Sequence, residues 1–197
     1  METKNVGTIT LSDKVRVTDP CYDIDTWCAG TLDTVLPGEF ECSYAIDKVT
    51  LDGDENNQYD SITSIEVHHK DYPNIKATEY MKDICVGVDS GQAGIFDFAM
   101  FEDVCSDDEL KDKFYNEVCD LTILETQKLG KGYIIIPCGN TIYNKGLVSA
   151  SGDGDGSYAC FVGRNDEGQI VAIKIDYYPD YELLEEIEND EMNQDIF

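Results

Sequence analysis

The sequence predicts an α+β fold of predominantly antiparallel β-sheet, with two or three short helices, one of them acidic and at the C-terminus. Three observations lead there. Runs rich in Val, Ile and Tyr, with apolar and polar residues alternating, recur along the chain. Asp, Gly and Pro punctuate these runs at short intervals, as turns require. Apolar residues at helical spacing occur in only two convincing stretches. A chain of 197 residues with 42% hydrophobic content suits one compact domain over 1–197, with an acidic helical extension from about 179.

In chain order, residues 5–11 and 14–18 read as a hairpin around Asp13. Residues 39–46 (EFECSYAI) alternate after the turn pair Pro37-Gly38, and 61–69 (SITSIEVHH) alternate again. Residues 84–89, 132–137 (GYIIIP), 146–150 and 157–163 continue the pattern, and 169–176 (QIVAIKID) is the strongest strand. A short helix is expected near 75–83. A longer one spans 106–120: Ser106 is placed to cap it and Glu109 to return the hydrogen bond. Leu110, Phe114, Val118 and Leu121 then share one face. The third covers 180–192, where Leu183, Leu184 and Ile187 form a narrow stripe among carboxylates.

Charge is the anomaly. The chain carries 41 acidic residues against 14 basic ones, a formal charge of −27, and its only arginines are Arg16 and Arg164. Such a chain does not bind DNA or RNA directly, because phosphate contacts need clustered Lys and Arg. Anionic membrane surfaces are disfavoured for the same reason, and cationic protein grooves are favoured. The first residues, METKNVGTIT, lack the apolar run of a signal peptide, and no apolar stretch is long enough to span a bilayer. The expected location is cytoplasmic. The eight cysteines are then free thiols, mostly small core hydrophobes, with no CxxC spacing to suggest zinc. No cofactor and no metal is expected, and the oligomeric state is not readable.

The segment SGDGDGSY at 151–158 suggests a cation loop, since Asp153, Asp155 and Ser157 match the first three ligand positions of an EF-hand. The pattern fails where glycine is needed, at Tyr158, and where the closing glutamate is needed, at Arg164. A phosphate cradle would need a lysine and a following helix. The local reading is a glycine-rich entry into a β-hairpin.

That hairpin also carries a resemblance. SGDGDGSYACFVGRNDEGQIVAIKID is similar to the closing hairpin of a bacterial and phage family catalogued as a domain of unknown function. VGVDSGQAGIFD at 86–97 resembles its Val-Asp-x-Gly segment. VTDPCY at 17–22 and VLPGEFEC at 35–42 resemble its Asp-Pro and Pro-Gly segments. The resemblance implies a compact β-rich fold and no activity.

Two functional readings follow from the residues. In the first, the protein is a non-enzymatic binding protein. It presents DNA-like negative charge to a cationic partner, a nucleic-acid-handling enzyme, as phage counter-defence proteins of the anti-CRISPR or anti-restriction type do. Its contact residues are Asp107, Asp108 and Glu109 in the 102–112 cluster, and Tyr181, Glu182, Glu185 and Glu186 near the C-terminus. A further cluster lies between Lys48 and Lys70, and Tyr177 and Tyr178 join Tyr181 as interface aromatics. In the second, Asp19, Asp89, Asp153 and Asp155 form a small-ligand or divalent-metal site, with a hydrolase as one outcome. Asp19 and Asp153 stand beside Pro or Gly, and Asp89 two residues before Gly91, each at a strand end, where functional loops gather. A cysteine–histidine pair is the weakest option. His68 and His69 are neighbours in a strand and point to opposite faces.

Overall fold

A computed structural model describes residues 1–50, 58–129, 132–180 and Leu184. In chain order its elements are β1 (Glu2–Leu11), β2 (Lys14–Thr18), β3 (Gly30–Asp33), β4 (Gly38–Thr50), β5 (Gln58–His69), β6 (Glu79–Val88) and β7 (Gln92–Asp97). Two helices follow, α1 (Phe98–Cys105) and α2 (Asp108–Thr122). The chain continues through β8 (Ile123–Leu129), β9 (Gly132–Pro137), β10 (Gly139–Ile142), β11 (Gly146–Ala150), β12 (Gly156–Arg164) and β13 (Ile170–Asp176).

Strand pairing is antiparallel throughout the sheets. A six-stranded sheet runs β1-β4-β5-β13-β12-β6, a five-stranded sheet runs β10-β11-β7-β2-β3, and β8 with β9 forms a separate ribbon. The two large sheets share one core: Ile9, Phe40, Ile65, Val162 and Ile173 from the first meet Val15, Leu32, Ile95 and Leu147 from the second. The opposite face of the five-stranded sheet is covered by the helices. There Phe96 and Val148 pack with Phe101, Val104, Phe114 and Val118. Period-2 alternation produces this division, because Ile95 and Leu147 face one layer while their neighbours Phe96 and Val148 face the other.

The expected strands at 39–46, 61–69, 132–137, 146–150, 157–163 and 169–176 all form, several of them longer than their patterns suggested. Four local readings are corrected. Residues 5–11 and 14–18 are strands but not a hairpin. β1 pairs with β4, while β2 pairs with β3 and β7. The Ser12–Asp13 link is a corner between sheets, pinned by the Ser12 N–H donating to Asp97 Oδ2 at 2.8 Å. Both strands send alternate residues into the same core, so their pattern is the same for a hairpin and for a corner. The segment near 75–83 is no helix. Residues from Glu79 belong to β6, an edge strand whose exposed Glu79, Lys82 and Asp83 mask its strand character while blunting the edge.

The capping residue of the 106–120 helix is Asp107, whose side chain accepts from Leu110 N at 2.9 Å. Ser106 instead closes α1, its hydroxyl donating to Asp103 O at 2.7 Å. Leu110 is half exposed, while Phe114 and Val118 are buried as expected. Tyr177 is the fourth correction. It is a core residue at 3% exposure, its hydroxyl sharing a 2.9 Å hydrogen bond with Ser149. The expected acidic helix at 180–192 lies outside the described residues except for Asp180 and the buried Leu184, whose N–H donates to Asp180 O at 3.1 Å.

Candidate functional site

Asp19 directly follows β2 and is fully buried. Its carboxylate accepts from Cys21 N, Asp89 N, Ser90 N and Ser90 Oγ, all within 2.8 Å. Four donors nearly saturate a carboxylate, so this group staples the 19–21 turn to the turn after β6. Burial and the hydrogen bond to Asp19 push the Cys21 thiol up to about 12. Asp89 is exposed, and with burial and Cys28 it raises the Tyr22 hydroxyl above its ordinary range.

The glycine loop sits beside this staple. Ser151 N donates to Gly91 O at 3.0 Å, and Tyr158 Oη ties the loop shut by donating to Ser151 O and Gly154 O. Gly152 and Gly154 have φ of 44° and 103°, which only glycine adopts readily. The loop then enters β12, the first strand of the hairpin with β13, as the sequence indicated. Asp153 projects from it and accepts from Tyr59 Oη and Tyr178 Oη, each at 2.6 Å. Those bonds and partial burial raise both phenols, with the hydrogen bond leading for Tyr59 and burial leading for Tyr178. Asp155 is exposed.

The fold thus brings the Asp19, Asp89 and Asp153 segments side by side and gives the carboxylates separate tasks. Among the described residues, no group of three or more His, Cys, Asp or Glu side chains is arranged to hold a metal ion. His68 pairs with Glu66 at 2.9 Å, and His69 packs edge-on against Phe40 and Tyr72. All eight cysteines are unpaired thiols.

A cleft of about 330 Å³ opens between the glycine loop, the start of β5, the turn before β7 and the β8–β9 ribbon. Tyr59, Ser61, Ser90, Gln92, Thr122 and Asp153 supply its polar lining, and Ile123, Ile135 and Pro137 an apolar wall. Sequence reasoning found only Asp153 of these. The lining comes from five separated segments, and no periodicity links them.

The acidic surface gathers where α1 meets α2. Glu102, Asp103, Asp107, Asp108, Glu109 and Asp112 are all exposed, with the half-exposed Leu110 among them. Lys111, within this run, is drawn off to pair with Asp23. That pair anchors the loop carrying Trp27, the chain's single tryptophan, which is 90% exposed. Elsewhere, Lys14, Lys48, Lys70, Lys113, Lys145, Lys174 and Arg164 each pair with a carboxylate. Arg16 is buried against Thr31 Oγ1 and the carbonyls of Ile24 and Thr26. Tyr181, Glu182, Glu185 and Glu186 lie outside the described residues.

A two-sheet antiparallel core with a pair of helices on one face, and a Gly-Asp-Gly-x-Tyr loop at its rim, defines the class. The model of a family described as protein of unknown function (DUF4241) matches residues 10–175, and the chain belongs to that family. No curated protein and no solved structure matches the chain. Among the described residues, no helix is long and apolar enough to cross a membrane.

Proposed function

We propose that the protein is a non-enzymatic binding protein that docks its acidic α1–α2 junction on a cationic protein surface and thereby inhibits a nucleic-acid-handling enzyme. One observation carries this reading. Glu102 and Asp103 stand exposed in the last turn of α1, which has no basic residue. Negative charge at a helix C-terminus opposes the macrodipole, so local stability gives no reason for it. Asp107, Asp108 and Glu109 start α2, where the dipole favours them, and their joint placement adds a second carboxylate group to the same junction. Lys111, the cation within the 102–112 run, is drawn off to Asp23. Trp27 and Leu110 add exposed apolar area of the kind that anchors interfaces.

The test is a pull-down from bacterial lysate at low and high salt, comparing the native protein with the combined variant Glu102→Lys, Asp103→Lys, Asp108→Lys. The expected partner binds nucleic acid, is displaced by its own nucleic acid, and binds the variant at least about tenfold more weakly, mainly through slower association. A partner whose affinity and salt dependence survive the triple reversal would remove this surface from the function.

A further inference from the structure

We propose that the cleft beside Asp153 is a binding site for an alkyl-ammonium or guanidinium group carried on an aliphatic stem. The lining hydroxyls donate into the protein, and Gln92 gives one of its two amide protons to a neighbour there. Tyr59 Oη donates to Asp153 Oδ1 at 2.6 Å, Ser61 Oγ to Gly152 O at 3.3 Å, and Ser90 Oγ to Asp19 Oδ1 at 2.7 Å. Thr122 Oγ1 donates to Cys119 O at 3.3 Å, and Gln92 Nε2 to Cys119 Sγ at 3.4 Å. What the hydroxyls have left is acceptor capacity, beside the exposed Asp153 carboxylate.

Gln92, in the cleft lining, is 7% exposed, and its buried Oε1 has no hydrogen-bond partner among the described residues. A buried acceptor without a partner is costly, so the wall of the cleft at Gln92 holds an unmet demand for a donor. Among the described residues, neither lysine nor arginine lines the cleft. Asp60 at its rim is paired with Lys48 at 2.9 Å.

A cleft whose hydroxyls keep lone pairs free and whose rim carries the Asp153 carboxylate favours a ligand with donors and positive charge. Ammonium and guanidinium combine positive charge with several donors and no acceptor. Phosphates and carboxylates are disfavoured, because their negative charge meets the exposed Asp153 carboxylate. The apolar wall of Ile123, Ile135 and Pro137 then covers a methylene stem, as amphipathic cations bury their stems while keeping the charged head on polar groups. The cleft volume is in the range that holds small molecules. The group has two sources, a free diamine-like or guanidino metabolite or an arginine or lysine side chain of a protein partner.

The experiment is a titration of the full-length, isotope-labelled protein, followed by backbone amide resonances. The probes are agmatine, an acetylated and amidated Gly-Arg-Gly tripeptide, and 1-butanol as the neutral stem. Agmatine or the tripeptide is expected to shift Gly91, Gln92 and Gly152–Gly154 saturably, and 1-butanol is not. Asp153→Asn should weaken binding about tenfold or more, while Asp166→Asn, an exposed acid on the β12–β13 turn, leaves it unchanged. Ile135→Ala should weaken agmatine more than methylguanidinium, a stemless cation added as a further probe, and Ile135 is 57% exposed, so this variant folds even if Asp153→Asn does not. Tighter binding of the tripeptide assigns the site to a partner's side chain, and tighter binding of agmatine to a free amine. Absence of saturable shifts, equal losses in Asp153→Asn and Asp166→Asn, or equal shifts from 1-butanol would overturn the proposal.

Discussion

Asp19 and Asp153 show how one residue type at one kind of position acquires opposite uses. Both stand at strand ends beside Pro or Gly, and the sequence ranks them alike. Asp19 is buried with four donors around it, while Asp153 is exposed and held by two phenols. Replacing Asp19 by Ala should therefore destabilise the fold by about 3 kcal/mol or more, since hydrogen bonds to charged groups contribute about 1.5–3 kcal/mol and the freed N–H groups stay buried. Urea unfolding measures this, and an unchanged midpoint would show that water replaces the carboxylate. His68 supplies a pH dependence. Its hydrogen bond to Glu66 raises it above its ordinary 6.5, against the opposing effect of partial burial. A raised folded value means that the stabilisation is complete below about pH 6.5 and is lost as pH rises through the folded value. The expected observation is a stability slope above pH 6.5 that His68→Gln removes.

Elements were most legible where one face is buried and the other wet. β4 and β5 alternate and were found in the sequence, while β13, mostly buried, was found by its run of Val and Ile. β7 is buried at all six positions, because it lies inside the five-stranded sheet between the shared core and the helices. Its pattern QAGIFD therefore has no polar face to reveal it. α1 was missed for a related reason: eight residues give little more than two turns, and its mean composition is apolar. The packing of β12 against the 75–78 segment makes a sharp prediction. A Cβ on Gly163 would lie 2.4 Å from the carbonyl oxygen of Lys76, a backbone atom with little room to move. Gly163→Ala should cost about 1–3 kcal/mol by overpacking, read as a lowered thermal midpoint. A neutral result would show that the Ile75–Ala77 segment is free to retreat.

At the scale of the molecule, a formal charge of −27 sits on a fold whose described lysines and arginines are largely paired or buried. Exposed pairs of this kind contribute little each, so the net repulsion among the remaining carboxylates dominates the surface. Added sodium chloride is expected to raise the unfolding midpoint, because screening relieves that repulsion over distances of about 10 Å at 0.1 M. A midpoint that falls with salt would mean that the ion pairs outweigh the repulsion. The same screening is expected to weaken the partner complex, so stability and binding should move in opposite directions on one salt axis.

Composition and periodicity were enough to establish a β-rich antiparallel chain, the closing hairpin, the α2 core face of Phe114 and Val118, and the excess of negative charge. Each depends on neighbours within a few residues, and local pattern encodes such relations directly. Tertiary structure alone decided that β1 and β2 part into different sheets, that Tyr177 faces the core while Tyr178 reaches Asp153, and that Gln92, Tyr59 and Ser90 meet around one cleft. Those outcomes depend on which distant strands pair. Alternation specifies a buried face but not the partner that buries it, so the sequence read alone is compatible with several such pairings.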